Sequence, residues 1–123
     1  FAGGCENVTR FYLAADLLVH PPRTENTGTV LLEAAVKGLP VLTTEECGYS
    51  SYIEDYDCGE VLPEPLQQEH LRSALYEMLT EADALQQWGR NGCRLAENDR
   101  IYQRYKEAAD VIESVAANKR KHK

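Results

Sequence analysis

Three short apolar runs separated by helical patterns restrict this chain more than any other feature. They are Leu17–His20, then Leu39-Pro40-Val41-Leu42-Thr43, then Gly59-Glu60-Val61-Leu62. Runs this short, the first of them continuously apolar, suit strands covered on both faces, as in a parallel sheet. The stretches between them carry helical spacing. Asn7 is placed to cap a short helix whose apolar face is Val8, Phe11, Tyr12 and Ala15. Thr29–Lys37 reads as a helix with Val30, Leu31, Ala34 and Ala35 toward the sheet, closed by Gly38. Gly48 and Tyr49 open another short helix, to about Tyr56. Pro21 and Pro22 end the first strand, and Pro63 and Pro65 the third. Alternation of this kind predicts an α/β fold built on a parallel sheet.

From Leu66 onward the pattern is entirely helical. Leu71, Ala74, Leu75, Met78 and Leu79 form one stripe, and Ile101, Tyr105, Ala108, Ile112 and Val115 another. Between them Ala82, Leu85, Trp88 and Leu95 suggest a stripe interrupted near Gly89 and Gly92. These stripes read as core packing rather than a cofactor box. The expected organisation is an α/β unit over residues 1–65 and a helical extension of the same domain over 66–123. Three strands make a thin sheet where doubly wound units have about six. Together with a first residue, Phe1, that is not methionine, this leads us to expect a fragment whose other strands lie upstream.

Composition excludes more than it selects. The 123 residues carry a formal charge of −7, against the basic footprint of a nucleic-acid binder. No apolar run approaches the ~20 residues of a membrane span. Cys5, Cys47, Cys58 and Cys93 form no C-x-x-C pair and have no histidine at zinc spacing, so reduced, mostly buried thiols in a cytoplasmic protein are expected. The basic tail Lys119-Arg120-Lys121-His122-Lys123 reads as a solvated terminus, with contact to an anionic membrane surface the sharper alternative.

Chemistry concentrates in Glu25-Asn26-Thr27-Gly28-Thr29-Val30-Leu31-Leu32-Glu33, where seven residues separate two carboxylates. The segment runs from the first strand into the following helix. In parallel sheets, ligands sit beyond the carboxyl ends of strands, where His20, Thr43, Thr44 and the loop through Gly48 also fall. A helix start offers free N–H groups and partial positive charge to a diphosphate. A carboxylate one turn in suits a ribose diol. Taken singly, Glu25 is also an ordinary helix-start carboxylate and Glu33 an ordinary solvated one. The apolar neighbours of Glu33 in sequence call for a partner. His20 is more often a packed, hydrogen-bonded side chain than a catalyst. No G-K-[ST] follows the glycines, so there is no P-loop.

Ala15-Asp16-Leu17-Leu18-Val19-His20-Pro21, Glu25 through Glu33-Ala34, and Gly38-Leu39-Pro40-Val41-Leu42-Thr43-Thr44 resemble the C-terminal domain of the GT-B retaining glycosyltransferases of group 1. The E-x7-E spacing is that family's hallmark. The likeness is close to about Leu62 and looser beyond. Cys47-Gly48-Tyr49 departs from the Gly-Gly of many relatives and leans toward the branch that builds the lipopolysaccharide core. The resemblance implies a partial Rossmann-like sheet and transfer of glucose from UDP-glucose to a heptose of the inner core. Glu33 would bind the ribose, Glu25 would act at the donor hexose, and the Asn26, Thr27, Gly28 and Thr29 amides would hold the pyrophosphate. It implies no metal and no cofactor besides the donor. The phosphate-clamping basic residues and the acceptor half would lie upstream, leaving this chain alone inactive. The parent would sit in the cytoplasm, peripheral on the inner membrane, and the last helix of the fragment is free to pair with a second copy. A group 1 transferase with another donor or acceptor, or a non-catalytic α/β interaction module, stays open.

Overall fold

The computed structural model describes residue 4, residues 7–24 and 28–98, and residues 103, 107, 110–112 and 114–118. Glu25, Asn26 and Thr27 lie outside the described residues, as do Cys5 and the apolar positions Ile101, Tyr105 and Ala108. The elements follow in the order α1 (Thr9–Ala14), β1 (Leu18–His20), α2 (Thr29–Ala35), β2 (Val41–Thr44), α3 (Ser50–Asp55), β3 (Gly59–Leu62), α4 (Gln68–Thr80) and α5 (Ala82–Ala96). The described parts of residues 103–118 are helical.

The three strands form one parallel sheet in chain order, β1-β2-β3. Leu18 pairs with Val41 and His20 with Thr43; Val41 pairs in turn with Gly59 and Thr44 with Leu62. All four residues of β2 are buried, as a central strand covered on both faces requires. On one face Leu31, Ala35, Val41, Ile53 and Leu95 gather in a core built by α2, α3 and α5. On the other, Leu42 and Leu62 meet Ala74 and Met78 of α4. Successive residues of β2 thus feed opposite cores, the period-2 alternation of a strand.

Local chemistry sets the element ends, and several differ from expectation. Asn7 does not cap α1: Val8 occupies the N-cap with helical backbone angles, and no side chain caps it. The Val8 carbonyl already accepts from the Phe11 and Tyr12 amides, so the helix has begun before a cap at Asn7 could act. No residue of α1 is buried, and Phe11 is 43% exposed. α2 stops at Ala35, two residues short of Lys37. Gly38 takes φ +80, and the amides of Gly38 and Leu39 return to the carbonyls of Ala35 and Ala34, as in a Schellman closure. β1 is not fully covered, since Val19 is 41% exposed.

The largest departure concerns α5. Gly89 and Gly92 do not interrupt it; both are buried inside the helix. A Cβ on Gly89 would stand 2.6 Å from the Gly38 carbonyl oxygen, and one on Gly92 would stand 2.4 Å from that of Ala35. The glycines allow α5 to lie against the backbone at the end of α2, a packing reason that outweighs their poor helix propensity. On α4, Leu79 does not join the core and is 55% exposed. Ile112 and Val115 of the last stripe are exposed among the described residues.

Candidate functional site

The carboxyl ends of the three strands are tied together by hydrogen bonds. The Thr43 hydroxyl donates to the His20 carbonyl at 2.8 Å, and the Thr44 hydroxyl to the Pro22 carbonyl at 3.4 Å. Beyond β2, the Glu45 amide donates to the Leu62 carbonyl, and the Glu64 amide donates to Glu45 Oε2. Loops after all three strands are therefore fixed to one another at the end where parallel sheets carry ligands.

α2 starts at this end. Its N-cap residue, Gly28, is buried with φ +68, and no side chain caps the helix. A Cβ there would lie 3.0 Å from Cys47 Sγ and 3.3 Å from Cys47 Cβ. Cys47 itself is buried. The start of α2 and the loop after β2 meet at this contact, which brings together the two segments expected to share a crevice. Thr29 opens the helix on its exposed side, and Gly48 is exposed in the neighbouring loop. Tyr49 sits edge-on to Tyr52 at 5.7 Å and packs on the first core.

Glu33 lies one turn beyond Thr29, on the same face of α2 by helical spacing. It is exposed. Its neighbours Leu31, Leu32, Ala34 and Ala35 turn into the core, so they do not enclose the carboxylate. It has a partner within the chain all the same: Tyr12 on α1 donates its hydroxyl to Glu33 Oε2 at 3.1 Å. The Lys37 ammonium stands 5.4 Å from the Tyr12 ring centroid and donates to the Glu33 carbonyl at 3.4 Å. Burial of the phenol, reinforced by Glu33, pushes the Tyr12 pKa up to about 12, so its proton stays in place at neutral pH.

Thr44 and His20 end β2 and β1. Thr44 has no exposed surface and directs its hydroxyl at Pro22. It shapes the loop after β1. His20 is half-buried at the end of β1, and its carbonyl is held by Thr43.

The sequence contains a D-x-D triplet, Asp55-Tyr56-Asp57, which ends α3 and precedes β3. It therefore lies at the amino end of the strands, away from the crevice. Asp57 has φ +49, and its carboxylate accepts from Trp88 Nε1 at 3.3 Å. Asn91 Nδ2 donates to its carbonyl at 2.7 Å, so the turn anchors α5. Among the described residues no cluster of three or more His, Cys, Asp or Glu side chains could hold a metal ion. An open groove of about 690 Å³, lined in part by Asp16, Pro40, Arg90 and Cys93, also lies at the amino end of β1 and β2. That is the wrong end of a parallel sheet for its usual ligand.

Tyr12 and Cys47 were not among the site residues expected from sequence. Cys47 stood inside the loop expected to line the pocket, but nothing marked it as the contact for Gly28. Tyr12 lay in a helix stripe whose spacing marked it for the core.

A three-stranded parallel sheet with its loops joined at the carboxyl ends, and an exposed carboxylate one turn into a glycine-opened helix, places the chain among α/β proteins, whose parallel sheets carry ligands at that end. Residues 1–94 match the family described as "Glycosyl transferases group 1". The chain is 44% identical over 112 residues to "Lipopolysaccharide glucosyltransferase WaaG" of Escherichia coli (strain K12), covering 91% of this chain and 30% of that protein. The solved structure titled "Crystal Structure of WaaG, a glycosyltransferase involved in lipopolysaccharide biosynthesis" superposes with a TM-score of 0.82 at 44% identity, covering 89% of this chain and 30% of that one. This chain belongs to the group 1 glycosyltransferases. It spans 30% of the length of these two relatives.

Proposed function

We propose that this chain supplies the donor-nucleotide part of a retaining transferase that moves glucose from UDP-glucose to a heptose of the lipopolysaccharide inner core. In this reading Glu33 accepts hydrogen bonds from the ribose hydroxyls. Glu25 contacts the donor hexose and is the residue closest to the chemistry. The amides of Asn26, Thr27, Gly28 and Thr29 hold the pyrophosphate and stabilise the charge that develops on the leaving UDP. Thr44 shapes the loop after β1 through Pro22, His20 contributes to the substrate pocket at the end of β1, and Gly48 lets the second loop approach the sugar. The donor carries the reactive group itself, so no further cofactor is invoked.

The observation that carries this reading is the placement of Glu33. It stands exposed, one turn into a helix whose first residues pack on the loop after the next strand. The resemblance in the E-x7-E segment and the lipopolysaccharide relative support the choice of donor and acceptor. The acceptor site and the phosphate clamp belong, on this view, to the part of the relatives that the chain does not span. The isolated chain then binds UDP without transferring glucose. Membrane contact of the parent, in this reading, is peripheral. No helix among the described residues is long and apolar enough to cross a membrane.

The test is UDP titration of the folded chain, followed by chemical-shift perturbation, with wild type against Glu33→Gln. A charged hydrogen bond contributes about 1.5–3 kcal/mol, or ten- to a hundredfold in affinity. Because Glu33 is exposed, the lower end is expected, about tenfold. Saturable shifts around Gly28, Glu33 and Gly48 that weaken by this amount would support the assignment. A folded wild type that binds no UDP would overturn the placement of the nucleotide pocket within these residues. Comparing UDP-glucose with UDP-galactose then tests the identity of the hexose.

A further inference from the structure

We propose that Tyr12 is a positioning residue for the nucleotide site, holding the Glu33 carboxylate in the orientation that receives the two ribose hydroxyls; this rests on the reading of Glu33 as the ribose ligand. The phenol and the carboxylate differ in how firmly they are mounted. Tyr12 is partly buried and packs its ring on the core formed by α2, α3 and α5. Glu33 projects from the exposed face of α2, where an unrestrained glutamate samples several rotamers. The hydroxyl donates to Oε2 at 3.1 Å, so the anchored ring restricts the mobile carboxylate.

Lys37 also contacts both members of the pair. Its ammonium stands 5.4 Å from the ring centroid and donates to the Glu33 carbonyl, linking α1 to the end of α2. The arrangement also leaves room for a ligand. An ionised carboxylate offers about four lone-pair sites, of which the phenol takes one. Oε1 and the second lone pair of Oε2 remain to accept from two vicinal hydroxyls. Tyr12 thus sets the direction of the carboxylate without using up its capacity.

The opposing possibility is that Tyr12 merely occupies a surface carboxylate and must be displaced by the nucleotide. The two make opposite predictions for Tyr12→Phe, which keeps the ring and removes only the hydroxyl. The experiment measures the affinity of the chain for UDP and for 2′-deoxy-UDP. It uses wild type, Tyr12→Phe, Glu33→Gln and the double variant, with amide spectra confirming the fold of each. If Tyr12 orients Glu33, Tyr12→Phe weakens UDP binding about three- to tenfold, the scale of re-immobilising one side chain. The loss is smaller for 2′-deoxy-UDP, which lacks one of the hydroxyls, and vanishes in the Glu33→Gln background.

Unchanged or tighter UDP binding by Tyr12→Phe, with Glu33→Gln still weakened, overturns the positioning role and leaves the ribose assignment standing. Equal loss for both nucleotides marks a general structural effect and also overturns it. A wild type that binds neither nucleotide overturns the ribose assignment and this inference together.

Discussion

Gly28 shows how one residue joins the two halves of the crevice. Its φ of +68 lies in the left-handed region, and its missing side chain leaves the space that Cys47 fills. Alanine there would incur about 1–2 kcal/mol for the backbone conformation and press on Cys47 Sγ at 3.0 Å. The lower entropy of the unfolded alanine chain offsets about 0.4–1 kcal/mol of that loss. Gly28→Ala is expected to destabilise by about 1–2 kcal/mol in urea melts. A Cys47→Ala background should recover the contact part of that loss and not the backbone part; full recovery would show that the strain argument is wrong. At this scale the sequence was partly legible. The spacing of Glu33 from the helix start is local, so it could be read. Its bond to Tyr12 spans 21 positions, and no periodicity signals it. The same holds for Thr44, whose hydroxyl at a strand end looked available and is instead turned to Pro22.

Among the elements, the strands were the most legible because short apolar runs between proline and glycine leave little choice. β3 spans Gly59–Leu62, as the pattern indicated, and the other two strands differ from it only at their ends. The helices were legible in type and less so in their faces. Hydrophobic spacing places Leu79 and Leu71 on one stripe, but only neighbours in space decide which of them is covered. The glycines of α5 were misread as an interruption because their cause is a carbonyl on another element. That cause yields a prediction. Gly89→Ala and Gly92→Ala each gain about 1 kcal/mol in helix propensity. Each also places a methyl 2.4–2.6 Å from a backbone oxygen, where no flexible side chain can give way. Overpacking of this kind costs about 1–3 kcal/mol, and the backbone contact places these sites at the upper end. Both variants should therefore unfold at lower temperature than wild type. A rise in melting temperature at either position would show that α5 can move away from α2 at little cost.

Across the molecule, acidic residues outnumber basic ones, 20 to 13, and the excess touches the fold at Glu60. Burial, with Glu77 of α4 adding to it, raises the Glu60 pKa above the ordinary glutamate value. The folded chain then holds this proton more tightly than the unfolded chain. The favourable contribution is fully present below the unfolded pKa and is lost as pH rises through the folded one. Glu60→Gln should accordingly stabilise the protein at neutral pH, with the advantage over wild type shrinking toward pH 4. Urea midpoints at the two values check this, and an advantage that grew on acidification would contradict it. The sheet itself has a consequence for how the chain acquires its structure. Its strands stand side by side in the order in which they occur, and each paired residue finds its partner about twenty positions along. Each strand docks on one already made. On a ribosome, β1 and α2 would wait only for β2 to emerge, and the Gly28–Cys47 contact could close before α4 and α5 were translated. The loops at the carboxyl ends of β1 and β2, where we place the nucleotide, would then take shape before α4 and α5, which would settle onto the sheet afterwards.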